Sequence, residues 1–214
     1  MILFFGKTSS VMIGKLKKII PSNLKRYIIS VYGKIWGAKV TDNGKNNRLI
    51  VGDRCNLIGL RIIFNGNNNT VKIGNNCHLN KAVLNLIDNY NTIIVGDNNS
   101  WGENVNVIPE EGTTIQIGVD CQIAVNVVIR SSDGHSIISN DSNNRINPAQ
   151  NIIISDRCWI GEHVKILKGA VISSDCIIGA STVVTKGNYD SNSVYAGNPI
   201  RKIKNNVHWI VQRI

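Results

Sequence analysis

The feature that most limits how this chain can fold is a glycine that returns every 22 residues. Leu49-Ile50-Val51-Gly52-Asp53-Arg54-Cys55 aligns with Val71-Lys72-Ile73-Gly74-Asn75-Asn76-Cys77. Ile93-Ile94-Val95-Gly96-Asp97-Asn98-Asn99 and Ile115-Gln116-Ile117-Gly118-Val119-Asp120-Cys121 continue the series. The unit returns 37 residues later as Ile152-Ile153-Ile154-Ser155-Asp156-Arg157-Cys158, and 18 after that as Ala170-Val171-Ile172-Ser173-Ser174-Asp175-Cys176. Thr70, Thr92 and Thr114 each stand three residues before the aliphatic anchor of their unit. A period of this size implies stacked units that bury one continuous core.

A shorter period lies inside the unit. From Ile154 onward an aliphatic residue falls at every sixth position: Ile160, Ile166, Ile172, Ile178 and Val184. Four residues after the first five of these come Cys158, Val164, Ala170, Cys176 and Thr182. A period of six is a short strand followed by a tight turn, because alternate residues of a strand point the same way. Three such strands close a triangular coil of 18 residues, and the earlier coils carry a turn insertion of four. Successive coils then stack through parallel backbone hydrogen bonds at about 4.8 Å. Gly, Asn and Asp crowd the three positions after each anchor, where corners need positive φ or side-chain bonds to the backbone. All five cysteines, at 55, 77, 121, 158 and 176, fill one slot of the repeat. One slot makes one internal column, so they are expected as small buried hydrophobes rather than metal ligands. Reduced, stacked thiols fit an intracellular setting.

Hydrophobic residues make up 43 % of the 214 and aromatics only 6 %, so the core must be aliphatic. The net charge of +10 is uneven. Residues 1–40 hold Lys7, Lys15, Lys17, Lys18, Lys25, Arg26, Lys34 and Lys39 with no acidic residue, while the rest is nearly neutral, sixteen basic against fourteen acidic. A basic arm on a neutral body argues against a nucleic-acid binder. No apolar run approaches the ~18–20 residues that span a bilayer, and Met1–Phe5 is too short for a signal segment. The chain divides into a basic, partly helical segment 1–45, a coil domain 46–190 with a loop at 130–151, and a tail 191–214 that packs back on the coils. Pro21-Ser22 reads as a helix start, followed by Leu24, Ile28, Val31 and Ile35 on one helical stripe. Such a helix would cap the open end of the solenoid. The alternative for this arm is contact with anionic lipid, worth about 1 kcal/mol per basic residue.

Three stretches together resemble the hexapeptide-repeat acetyltransferases. They are Arg130-Ser131-Ser132-Asp133-Gly134-His135-Ser136-Ile137 with Arg145-Ile146-Asn147-Pro148, then Cys158-Trp159-Ile160-Gly161 through Gly169, then Ile178-Gly179-Ala180 through Lys186 with Ala196-Gly197-Asn198-Pro199. The match runs from about residue 46 to 205. An Asp-x-His loop followed by Arg-Ile-Asn and Trp-x-Gly resembles in particular the bacterial capsule and polysialic acid O-acetyltransferases. The resemblance implies a mainly β fold, a left-handed parallel β-helix of hexapeptide-repeat coils with a protruding loop; the N-terminal segment, read as helical from its own spacing, is not part of the family's common pattern. The resemblance also implies acetyl-CoA as co-substrate with no metal, and a homotrimer with active sites between subunits. The thiols and the lack of a spanning run make the expected localisation cytoplasmic, with peripheral contact at the inner face of the membrane as the sharper role for the basic arm. The expected acceptor is a sugar hydroxyl of a capsular or other surface polysaccharide. N-acetylation of a nucleotide-linked amino sugar is the alternative, and a non-catalytic binding solenoid is the second. A γ-type carbonic anhydrase would need three histidines in coil register, which His78, His135 and His163 do not provide.

The step from Ile117 to Ile154 exceeds one 18-residue coil by 19, so roughly residues 130–150 must bulge from the wall. Long polar excursions from rigid scaffolds carry function. Acetyl transfer needs a base for the acceptor proton and a donor for the developing oxyanion. His135, in the loop, matches the family's base. His78, His163 and His208 read as surface residues. Trp159 follows an internal cysteine and so points outward; by resemblance it lies beside the base and thioester. Exposed backbone N–H groups at Gly161, Gly179 and Ala180 are expected along a coenzyme groove. Thr185 and Lys186 match positions on that groove, and Arg201 and Lys204 match its phosphate end. Arg145 and Asn147 are the candidates for acceptor binding. Glu162 departs from the family, where several members carry Ser, so a hydroxyl contact to the thioester is not implied here. Trp101 stands at an anchor position and belongs to the core.

Overall fold

A β-carbon built on Gly74 would stand 2.7 Å from the carbonyl carbon of Gly96, the glycine one unit further on. The 22-residue glycines are thus points where successive turns of backbone touch, and any side chain there would force the turns apart. The left-handed corner residue comes two positions later, with φ of 55° at Arg54 and Asn76, 59° at Asn98 and 56° at Asp120. Between them a side chain closes the corner: the Asp53 N–H donates to Asn75 Oδ1, and the Asn75 N–H to Asp97 Oδ1, each at 2.8 Å.

The computed structural model describes residues 27–29 and 34–214. It is a parallel β-solenoid whose strands form three faces of eight, nine and seven strands among the described residues. Each coil runs along the first face, as in Thr70–Ile73, then the second, as in His78–Asn80, then the third, as in Val83–Ile87. Register is strict: Thr92 pairs with Thr70 and Thr114, and Val95 with Ile73 and Ile117. The six hexad anchors from Ile154 to Val184 are at most 1 % exposed. Fully burying an isoleucine contributes roughly 1.5–3 kcal/mol, so this column drives the stacking. Trp101 is 3 % exposed and its indole N–H reaches Asn99 Oδ1.

Two further columns hold the turns together. The five cysteines are buried and unpaired by disulfides. Cys55, Cys77 and Cys121 donate from Sγ to the carbonyls of Gly74, Gly96 and Ser155 at 3.1 Å, each one coil further along. Asn99 takes the same slot and donates from Nδ2 to the Gly118 carbonyl at 2.7 Å. In the inserted turns a buried amide ladder runs through Asn47, Asn69, Asn91 and Thr113. The Asn69 and Asn91 N–H groups donate to Asn47 and Asn69 Oδ1, and the Thr113 N–H to Asn91 Oδ1.

The helix expected after Pro21 is not what the described residues there form. Tyr27–Ile29 and Lys34–Trp36 are strands that pair in parallel with Arg48–Val51 and Asn56–Ile58. Their place in the sheets follows from sequence spacing: Ile29 and Ile35 are six apart and lie 22 before Val51 and Leu57. The remainder of the basic arm, with Lys7, Lys15, Lys17, Lys18, Lys25 and Arg26, lies outside the described residues. At the other end, Ser193–Ala196 is the last parallel strand of the second face, and Arg201–Asn205 turns back antiparallel on it. No helix among the described residues is long and apolar enough to cross a membrane.

Candidate functional site

The excursion leaves the solenoid between Val128–Arg130 on the third face and Ile152–Ile154 on the first. It is a braced structure rather than a slack one. Arg145 lays its guanidinium across Glu111 of the preceding coil, with Nη1 to Oε2 at 2.6 Å and Nη2 to Oε1 at 2.8 Å. The same carboxylate accepts the Ser132 hydroxyl at 2.8 Å. The Arg145 hydrogen bond foremost, helped by that of Ser132, holds the Glu111 carboxyl down at about 2. From the following coil, Lys168 Nζ reaches Asp133 Oδ2 at 2.5 Å and the Asn147 carbonyl at 3.0 Å. That ammonium, then the Asn147 amide, lowers the Asp133 carboxyl below its ordinary range.

Asn147 sits at the middle of this frame and is 8 % exposed. Its Nδ2 donates to Asp133 Oδ2 and to the His135 carbonyl, both at 2.8 Å. Its Oδ1 accepts the Ile137 N–H at 2.6 Å and Arg145 Nε at 3.3 Å. His135 is therefore fixed by its main chain while its side chain stays exposed. Among the described residues the imidazole makes no hydrogen bond of its own. The side-chain polar atoms of Asn147 are engaged within the loop, and Arg145 ties the loop to Glu111 of the coil, so both brace it in this conformation.

Trp159 points outward from the second face and is 45 % exposed, between fully buried Cys158 and Ile160. The outward column it belongs to changes character at this point. In register it runs Asn56, His78, Ser100 and Gln122, then Trp159, Ile177 and Val194. A polar wall becomes an apolar strip for its last three coils. The strip ends on the basic strand Arg201–Asn205, where Lys204 pairs with Val194 and both Arg201 and Lys204 are exposed.

Of the three amides expected to be free, those of Gly161 and Gly179 are not. Gly161 N–H donates to the Ile178 carbonyl and Gly179 N–H to the Tyr195 carbonyl, each at 2.8 Å. These groups are consumed by stacking, and the glycines serve close approach: a β-carbon on Gly161 would meet Ala180 N at 2.7 Å. Gly161, Gly179 and Ala180 border the apolar strip at the corner between the second and third faces. Thr185 and Lys186 are exposed at a different corner, between the third and first faces, where the His135 loop also emerges. In a triangle that corner lies opposite the second face. One chain thus brings His135, Thr185 and Lys186 to one side, and Trp159, Gly161, Gly179, Ala180, Arg201 and Lys204 to the other.

Trp209 is a neighbour of this site that periodicity could not reveal, because the tail has no repeat. Its ring centroid lies 6.3 Å from that of Trp159. Among the described residues no group of three His, Cys, Asp or Glu side chains is placed to hold a metal ion.

No protein-family model matches the chain. A polysialic acid O-acetyltransferase of Escherichia coli O1:K1 / APEC is 42 % identical over 95 residues, covering 44 % of this chain and 31 % of the relative. One from Neisseria meningitidis is 41 % identical over 68 residues, covering 32 % and 31 %. The alignments therefore span about a third of either enzyme. Similarity to solved structures extends much further. The polysialic acid O-acetyltransferase OatWY matches with a TM-score of 0.84 at 28 % identity, over 88 % of this chain and 89 % of that one. The polySia specific acetyltransferase NeuO is 31 % identical, with a TM-score of 0.63, over 82 % of this chain and 90 % of its own.

The chain belongs to the hexapeptide-repeat acetyltransferase family. Its solenoid is accordingly the left-handed β-helix of those enzymes, with three faces and a braced loop.

Proposed function

We propose that the protein transfers an acetyl group from acetyl-CoA to a sugar hydroxyl of a bacterial capsular or other surface polysaccharide, with His135 as general base. The observation that carries this reading is the loop itself. An exposed imidazole stands on a long excursion from a rigid wall, and Asn147, Arg145, Glu111, Asp133 and Lys168 hold the backbone around it. Such bracing keeps a base in place without occupying its nitrogens, as proton abstraction requires. Two of the relatives carry names of O-acetyl transfer, one to polysialic acid and one in lipopolysaccharide biosynthesis.

In this mechanism His135 takes the proton of the acceptor hydroxyl as its oxygen attacks. The bound thioester supplies the acyl carbon and leaves as the CoA thiol, which recovers the proton from the imidazolium. Trp159 supplies an apolar wall and an N–H beside the reacting carbonyl. Arg201 and Lys204 receive the phosphates at the end of the strip, and Gly161, Gly179 and Ala180 leave the corner beside it open. Because His135 and Trp159 lie on opposite sides of one chain, a complete site needs the loop of one subunit against the second face of another. A homotrimer supplies three such junctions, with Thr185 and Lys186 contributed from the loop side. Dependence on acetyl-CoA puts the reaction in the cytoplasm, and the basic arm suits an acidic glycan or an anionic membrane surface.

The test is incubation with acetyl-CoA and a panel of acidic polysaccharides, followed by mild alkali. O-acetylation gives an ester that alkali removes. An alkali-stable amide formed on a nucleotide-linked amino sugar would replace this reading with N-acetylation. Mixing His135→Ala with Trp159→Ala subunits should restore part of the activity that each lacks, because hybrid trimers contain some intact junctions. No recovery on mixing would place both residues in one subunit's site.

A further inference from the structure

We propose that Trp209, in the C-terminal tail, is a donor-binding residue that forms the side wall of the apolar strip and grips the pantetheine arm of acetyl-CoA; this rests on the acetyl-CoA reading above. Most of the tail beyond residue 205 lies open, with Ile210 48 % and Val211 73 % exposed. Two points pin it. The Val207 N–H donates to the Asn192 carbonyl at 3.0 Å, and the Trp209 indole N–H to the Arg157 carbonyl at 2.7 Å. Arg157 is itself fixed to the next coil by two bonds to Asp175, of 2.8 Å and 2.6 Å. The anchor therefore spans two turns of the wall.

The position of the ring gives the anchor its meaning. Arg157 occupies the corner between the first and second faces, so Trp209 stands along one border of the strip whose floor is Trp159, Ile177 and Val194. The opposite border is the corner of Gly161 and Ala180. The indoles of Trp159 and Trp209 are tilted at 49°, so they meet as the two sides of a trough rather than as a flat stack. Trp159 keeps 45 % of its surface exposed even with Trp209 against it. With its N–H spent on Arg157, Trp209 offers only its apolar faces. A trough with aromatic sides, an aliphatic floor and a basic end at Arg201 and Lys204 suits a chain with methylene and amide groups that terminates in phosphates.

The test is calorimetric titration of CoA into the purified protein, paired with KM values for acetyl-CoA and for the acceptor. Trp209→Ala should weaken CoA binding and raise the donor KM by roughly fivefold to twentyfold, as loss of a ring contact of about 1–1.7 kcal/mol would. The acceptor KM should not move. Trp209→Phe, which keeps a ring but loses the Arg157 anchor, should fall between the two. A thermal melt within a few degrees of the wild type confirms that the coils are intact. If the wild type binds CoA and Trp209→Ala binds it equally well, this inference is overturned and the acetyl-CoA reading stands. Tighter binding by Trp209→Ala would overturn it in favour of a cover over the trough. If the wild type does not bind CoA at all, the acetyl-CoA reading itself fails.

Discussion

The Nδ2 of Asn147 holds the carbonyl oxygen of His135 at 2.8 Å, and its Oδ1 holds the N–H of Ile137 at 2.6 Å, so one buried amide clamps the main chain on both sides of the proposed base. Asn147→Ala removes the clamp without touching the coils. The expected result is a fall in kcat of roughly hundredfold, since small displacements of a catalytic group cost about that much. The KM for acetyl-CoA should stay near the wild-type value. Steady-state kinetics check both.

Acid should loosen the loop before it melts the solenoid. Glu111 has its carboxyl lowered from the ordinary 4.5 to about 2, by the Arg145 hydrogen bond first. A depressed carboxyl contributes stability that is complete above its ordinary value and is lost as pH falls through the folded one. The window thus lies between about pH 4.5 and 2, and Asp133, lowered by Lys168, acts in the same direction. Hydrogen-exchange protection at 131–150, taken relative to the intrinsic rate at each pH, should fall across that window while the strands of the coils stay protected. Glu111→Gln should show fast loop exchange already at neutral pH.

The thiols should be silent in the folded protein. Burial pushes Cys176 up to about 12, and all five cysteines are buried, so a thiol reagent at pH 8 should label none of them until denaturant is added. Cys77→Ala removes the bond to the Gly96 carbonyl and leaves a small void, at a cost of about 1–3 kcal/mol. Urea denaturation measures that cost, and labelling with and without urea measures accessibility.

Asn91 is the densest joint of the buried ladder. It accepts the Thr113 N–H, donates from Nδ2 to the Ile87 carbonyl and Asp88, and passes its own N–H to Asn69. Asn91→Ala strands buried groups in two turns at once. A loss of roughly 2–4 kcal/mol is expected, because each unsatisfied buried group costs about 1–3 kcal/mol. Asn89→Ala, an exposed position in the same turn, is the control and should cost far less.

Periodicity made the solenoid legible because burial acts on every sixth side chain, and the residues doing it are the ones that recur. The corner glycines and the cysteine column were readable for the same reason. At Tyr27–Trp36 two periods competed. Leu24, Ile28, Val31 and Ile35 fit a helical stripe, while Ile29 and Ile35 fit the hexads, and Ser30 stands where the next four coils have Gly. Pairing with an existing sheet edge decided for strand, a tertiary effect that local spacing does not carry. The loop could be located from the surplus of residues between Ile117 and Ile154, and His135 within it. Its bracing could not, because Glu111 and Arg145 are 34 residues apart and share no periodic relation. The sequence thus offered Arg145 and Asn147 only as acceptor ligands and gave no sign that both also brace the loop. Glycine amides on the groove looked free for want of side chains, although parallel stacking had already engaged those of Gly161 and Gly179. Trp209 carried no signal in a tail without repeats.

The most direct measurement is turnover of acetyl-CoA by His135→Ala alongside calorimetric binding of CoA to the same variant. Turnover should fall to background while CoA binds with the wild-type affinity, because the proposed roles give the imidazole the acceptor proton and the second face the donor. Full activity in His135→Ala would exclude His135 as the base.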